Sequence, residues 1–256
     1  ADGDTESGIT IHLVDADYDH GRIVFQAKCA VSPQDSAEDV AQHVHKLEYA
    51  NYPKVIEDLV LGNKKIMKMQ LTENIYYVGV NHRNKERFEC LWPLTSGMSY
   101  NSFLVVGEKI ALIDTVDSRF FPLFIEKIKE IIGDRPIDYL VINHMEPDHS
   151  GSMGLVRQYY PDVCLVGNKK TLQMADGYYG ETEQTLCVSE GTTLDLGGMS
   201  FTFFLTPMIH WPETMVTYES QTQTLFFFFF FGCFGALNGG VLDCSINFEL
   251  YFSEML

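Results

Sequence analysis

Positive charge is scarce in this chain. Lys and Arg number 18 against 35 Asp and Glu, a formal net charge of −17 over 256 residues. A surface so short of cations has little with which to neutralise phosphates, which excludes nucleic acid as a partner. The acidic excess favours solubility and a basic electron donor. Cysteine is sparse as well: six residues, at 29, 90, 164, 187, 233 and 244, none in C-x-x-C spacing. They read as free thiols in a reducing cytoplasm rather than as a disulfide framework. No signal peptide is expected from the opening residues. The longest aromatic run, Phe226 to Phe231, is far too short to span a bilayer, so no membrane partner is expected. A phosphate loop is also lacking. Gly232-Cys-Phe-Gly235 and Gly239-Gly240 have neither the Lys nor the spacing, so no flavin site is visible.

What is present is a dense cluster of metal-ligating side chains. Within the stretch 141–153, VINHMEPDHSGSM, His144, Glu146, Asp148 and His149 lie close together. They follow an apolar run, Tyr139 to Ile142, that reads as a short buried strand. Pro147 and Gly151 are expected to stop regular structure beyond it. Two imidazoles and two carboxylates at a strand end can converge, and that donor mixture suits iron, zinc or manganese. A solvated surface face does not account for four such groups in H-x-E-x-D-H order. His210, followed by Trp211 and Pro212, lies at another strand end facing a turn. Alone it reads as a buried polar residue as readily as a ligand; with the His144 cluster it becomes a third ligand.

Length and an ordinary apolar content of 46% allow one large or two small domains with a sizeable core. Residues 1–64 read as two strands, 9–14 and 22–31, and two helices. The capping-box spacing of Asp35 to Glu38 starts the first helix, which runs to about Tyr49; Pro53 starts the second, 54–61, closed by Gly62. The polar, basic Asn63-Lys-Lys65 marks a boundary. Beyond it, 73–80 is a strand, and His82 sits in a charged turn as a surface residue. A hairpin joins 102–106 to 109–113 around Gly107-Glu108. Helical spacing covers 120–132 and stops at Gly133. Helices 153–160 and 169–178, and short strands at 163–166, 186–188, 193–196, 199–205, 216–218 and from 224, complete an α/β pattern. Clustered strands and helices fit two sheets sandwiched between helices.

The H-x-E-x-D-H segment with "HMEPDHSGSM" around it resembles the flavodiiron proteins, whose diiron domain has the metallo-β-lactamase fold. Segments 92–107 (WPLTSGMSYNSFLVVG), 110–116 (IALIDTV) and 207–215 (PMIHWPETM) resemble that family's strands, including the strand with its Asp and the segment with its next His ligand. The resemblance covers residues 65–256 and implies an αββα sandwich, incomplete at the C-terminus and preceded by the short ββαα segment. It implies a diiron site of His144, Glu146, Asp148, His149 and His210, with FMN available only through a missing domain or partner. It implies reduction of dioxygen to water or of nitric oxide to nitrous oxide, a rubredoxin-like or flavin electron donor, and a head-to-tail homodimer. At residue 229, where the resemblance places a bridging Asp, this chain has Phe. The resemblance also implies a late His and a flavodoxin-like domain that this sequence does not contain, so little activity is expected of this chain alone. A metal-dependent hydrolase on the same fold is the main alternative, against which Glu146 weighs, since hydrolytic relatives carry His there. A non-catalytic oxygen- or metal-binding scaffold is the other. Residues 1–64 resemble the C-terminal part of glycinamide ribonucleotide formyltransferase through 7–14, 18–21 and 52–56. By position, Asp19 matches that family's catalytic Asp and His12 a supporting His. The rest of that constellation is absent, and the segment reads as packing.

Overall fold

A computed structural model describes residues 5–13, 23–60, 68–88, 91–94, 97–227 and 235. The chain divides into two compact units, Ala1–Met67 and Lys68–Leu256. In the first, Glu6–His12 pairs antiparallel with Ile23–Ala30, and helix α1 (Ala37–Val60) lies against both strands. The two helices expected on either side of Pro53 are one helix. Proline removes one donor from the ladder, yet the helix continues through it. The capping box lies one residue later than its spacing suggested. Ser36 Oγ accepts from Asp39 N at 3.2 Å, and Asp39 Oδ2 accepts from Ser36 N at 2.9 Å. Asp19 lies outside the described residues. His12 closes its strand and pairs through Nδ1 with Leu13 O at 3.1 Å.

Among its described residues the second unit holds two main sheets and two short strand pairs, Val80–His82 with Met98–Tyr100 and Arg87–Phe88 with Trp92–Pro93. The larger runs in the order Thr185–Val188, Cys164–Asn168, Tyr139–Val141, Ile110–Ile113, Phe103–Val106, Ile75–Tyr77, Met69–Gln70. The first four strands are mutually parallel and the rest antiparallel. The smaller sheet is antiparallel: Thr193–Asp195, Ser200–Leu205, Met215–Glu219, Thr224–Phe226. Strand side chains alternate between faces, and that alternation builds two cores. Ala111, Ile113, Val141 and Val166 face Phe201, Phe203, Met215 and Phe226 of the smaller sheet. Ile110, Leu112, Leu140 and Leu165 face Phe124, Ile128 and Ile132 of α2 (Phe121–Ile132) and Met153 and Val156 of α4 (Met153–Tyr159). Helices thus cover the outer face of the larger sheet, and the smaller sheet covers its inner face; among the described residues these are three of the four layers of the αββα sandwich.

Local signals set the element ends. Gly133, at φ 62°, closes α2 where a side chain would be strained. Asn168 Oδ1 accepts from Lys170 N and Thr171 N and so caps α5 (Lys169–Tyr179). Pro147 does not stop structure. It starts a helical turn, α3 (Pro147–Ser150), because proline at the first helical position has a suitable φ and no N–H to lose. His82 is not a free surface residue either: it ends the strand Val80–His82, and its ring lies 5.0 Å from Phe120 and 6.1 Å from Tyr100. The Phe run begins inside the core, where buried Phe226 meets Phe103 at 5.4 Å and Phe201 at 6.2 Å between ring centroids. Phe229 lies outside the described residues. No helix among the described residues is long and apolar enough to cross a membrane.

The parallel strands end along one edge. Asp114 follows Ile110–Ile113, Asn143 and His144 follow Tyr139–Val141, and Asn168 ends Cys164–Asn168. In open α/β sheets this carboxyl edge is where ligands are bound.

Candidate metal centre

Three donor atoms meet at this edge. His144 Nε2 lies 3.1 Å from Glu146 Oε2 and 3.0 Å from His210 Nε2, and His210 Nε2 lies 3.2 Å from the same Glu146 oxygen. His144 and Glu146 are buried, while the His210 side chain is 49% exposed and forms the mouth of the site. His210 rides on the 206–214 loop between two strands of the smaller sheet, at φ 53°, beside Met208 at φ 66°. Left-handed backbone at residues with a side chain costs on the order of 1 kcal/mol each and clusters at functional sites. The buried Thr214 hydroxyl sits among the carbonyls of Thr206, Ile209 and Trp211, with one proton to donate to them, and ties this loop together.

Behind each buried imidazole stands a carboxylate. Glu213 Oε1 accepts from His144 Nδ1 at 2.8 Å and from Met145 N at 2.9 Å. Asp114 Oδ2 lies 3.2 Å from His149 Nδ1, and Asp114 Oδ1 accepts from Asn143 N at 2.7 Å. A carboxylate at Nδ1 selects the tautomer whose Nε2 carries the lone pair. His144 Nε2 therefore presents a lone pair to a carboxylate oxygen and to a second imidazole. With that lone pair, a carboxylate oxygen and the His210 nitrogen within about 3 Å of one another, a cation or a proton must sit among them.

The electrostatics reflect that demand. Burial opposes charging His144, but its hydrogen bonds to Glu146 and Glu213 raise its pKa above the ordinary value. Burial also opposes charging His149, yet the Asp148 charge and the Asp114 hydrogen bond carry it up to about 9. Burial pushes Asp114 up. Burial would raise Glu146 and Glu213, but hydrogen bonds from His144 hold both below the usual carboxylate range. Burial, then the His144 charge, lowers His210. Protons on His144 and His149 stand where a metal would place its charge, and metal binding would release them.

The donor set fits a transition metal. Donors about 2.1 Å from one ion and at right angles to each other stand about 3.0 Å apart, close to the distances seen here. Asp148 and His149, on α3, face one another at 3.4 Å between Oδ2 and Nε2, beside the first group, with the His144 and His149 ring centroids 5.2 Å apart. Asp148 Oδ1 is buried and has no hydrogen-bond partner, as expected of an oxygen kept for an ion. All five residues singled out in the sequence thus lie at one edge, in two adjoining groups: His144, Glu146 and His210 in one, Asp148 and His149 in the other. Glu213 was not singled out, and Asp114 was noted only as part of a strand motif. An acidic residue flanked by Pro212 and a β-prone run, three positions from His210, was the available signal.

A family model described as the ODP family beta lactamase matches residues 98–238, more than half of the chain. The chain belongs to this family. A formyl transferase model matches residues 1–56 of this ODP-family chain. Over 167 residues it is 35% identical to a flavo-diiron protein of Clostridium acetobutylicum, an alignment covering 64% of this chain and 42% of the relative. It is 34% identical over 163 residues to an anaerobic nitric oxide reductase flavorubredoxin of Vibrio vulnificus, covering 62% of this chain and 33% of the relative. Rubredoxin oxygen:oxidoreductase from Desulfovibrio gigas superposes with a TM-score of 0.70 at 26% identity, covering 74% of this chain and 47% of that one. The ODP-family chain therefore spans less than half the length of each of these relatives.

Proposed function

We propose that residues 65–256 form the metal-holding module of a flavodiiron-type oxidoreductase, with residues 1–64 a formyltransferase-like segment that serves packing rather than formyl transfer. One observation carries the reading: two imidazole nitrogens and a Glu oxygen converge within 3.2 Å of one another, with Asp148 and His149 adjoining them. His144, Glu146 and His210 would hold one iron, and Asp148 and His149 would contribute to a second. Bound iron would supply a redox pair with open positions, at which dioxygen is reduced to water or nitric oxide to nitrous oxide with electrons from FMN on a further domain or partner.

The chain's own residues prepare that chemistry. Glu213 and Asp114 turn the Nε2 atoms of His144 and His149 inward. Burial of His144 and Glu146 excludes water on the sheet side, and among the described residues the exposed His210 marks an approach for a small diatomic. Trp211, whose ring stands edge-on to His144 at 5.2 Å, walls that approach. A rubredoxin-like or flavin donor, a head-to-tail dimer and a cytoplasmic setting belong to the same reading. The free thiols of Cys29, Cys164 and Cys187 support the last.

A single-turnover experiment tests the function. The chain is loaded with iron(II) without air and mixed with dioxygen or nitric oxide in a stopped-flow cell. Oxidation of the iron within seconds, with nitrous oxide formed in the nitric oxide arm, is expected; with Phe at residue 229, repeated turnover is expected to stay slow even when a reduced flavoprotein is added. Iron that stays ferrous, together with ester hydrolysis by the zinc-loaded chain, would favour the hydrolase instead.

A further inference from the structure

We infer that Glu213 is the positioning residue that makes His144, Glu146 and His210 a single metal-binding unit. The inference rests on the metal reading above and concerns how the site is held rather than what it binds.

Glu213 joins three segments of chain. Its Oε1 accepts from His144 Nδ1 at 2.8 Å and Met145 N at 2.9 Å, both on the loop after Tyr139–Val141. Its main-chain carbonyl accepts from Asn168 Nδ2 at 2.5 Å and Thr171 Oγ1 at 3.5 Å, where Asn168 caps α5. Glu213 itself lies on the 206–214 loop, three residues after His210. The imidazole of His144 and the backbone that carries His210 therefore share one anchor. Asp114 also bridges, accepting from His149 Nδ1 and Asn143 N, but both of these lie on the one stretch after Tyr139–Val141, so it does not tie that stretch to His210.

A purely structural role fits Glu213 poorly. Its side chain is fully buried, and Oε2 has no hydrogen-bond partner. A buried carboxylate with one oxygen unpartnered is unfavourable, and a neutral amide would satisfy Met145 N as well. The negative charge has a use if a cation binds on the far side of the His144 ring. There the carboxylate raises the basicity of Nε2 and fixes the ring plane.

The test compares the wild-type chain with Glu213→Ala and Glu213→Gln in two measurements. One is anaerobic titration with iron(II) alone. The other is 15N NMR of the His144 ring in the metal-free protein, with circular dichroism confirming the fold. Measured at alkaline pH, where the metal-free ring is neutral, the wild-type ring is expected to carry its one proton on Nδ1. Glu213→Ala is expected to mix the tautomers and weaken iron binding about 10- to 100-fold. Glu213→Gln keeps an acceptor but no charge; it is expected to keep the tautomer and weaken binding several-fold. If Glu213→Ala does not fold, Glu213→Gln decides. Wild-type affinity in every folded variant overturns the inference while leaving the metal reading intact, even if the metal-free proteins melt earlier. A wild-type chain that takes up no iron overturns both.

Discussion

Replacing His144 with Ala is expected to abolish iron binding and to unfold the metal-free protein at markedly lower urea. Both ring nitrogens of His144 are engaged: Nδ1 with Glu213 at 2.8 Å, Nε2 with Glu146 at 3.1 Å and His210 at 3.0 Å. Its ring also packs edge-on against Trp211 at 5.2 Å. Removing it leaves the fully buried Glu213 side chain without its charged partner, and breaking a buried pair from one side costs roughly 3–5 kcal/mol. His210, half exposed on a strained loop, and Glu146 are left without the buried donor that both face. Iron retained at this position after desalting should fall below about a tenth of wild type. Metal analysis and urea unfolding of the same sample check both parts. Wild-type iron content in this variant would mean that His144 is a buried structural histidine.

The second large effect is expected at Asp114, where Ala should cost roughly 3 kcal/mol and remove one of the two irons selectively. Two contributions make up the stability loss. Asn143 N–H, which donates to Asp114 Oδ1 at 2.7 Å, loses its acceptor in a buried site, worth about 1–3 kcal/mol. Asp114 also sits at φ 52°, a left-handed conformation that costs Ala on the order of 1 kcal/mol and that Asp tolerates better. The selective part follows from position. Asp114 backs His149, not His144, so iron should fall from about two per chain to about one, with the His144 group still loaded. Asp114→Asn, which keeps an acceptor for Asn143 N–H, should recover most of the stability and little of the second iron. Mössbauer spectroscopy of 57Fe-loaded samples separates the two positions. Equal loss from both would show that the two groups are not independently supported.

The donor set was legible in the sequence because most of it is local. His144, Glu146, Asp148 and His149 are near neighbours along the chain, and the short apolar run before them fixes the strand that presents them. The hairpin at Gly107-Glu108 and the helix end at Gly133 were legible for the same reason: each depends on a few adjacent residues. Glu213 was not, because its partner His144 lies 69 positions away and only the folded chain brings them together. Pro147 was read as a stop and Pro53 as the start of a second helix. Pro147 instead opens a helical turn, and Pro53 lies in the interior of one helix that continues through it. A proline rule weighs the lost donor and cannot weigh what the surrounding chain gains by continuing. The order of strands in the larger sheet was likewise beyond local pattern, since parallel partners such as Tyr139–Val141 and Cys164–Asn168 are joined through helices.

Diffraction from crystals of the iron-loaded chain, collected on both sides of the iron absorption edge, tests the central claim most directly. The expected result is an anomalous peak about 2.1 Å from His144 Nε2, the Glu146 carboxylate and His210 Nε2 together, with a second peak beside Asp148 and His149. Side chains of His144, Glu146 and His210 that diverge, with no peak among them, would contradict it.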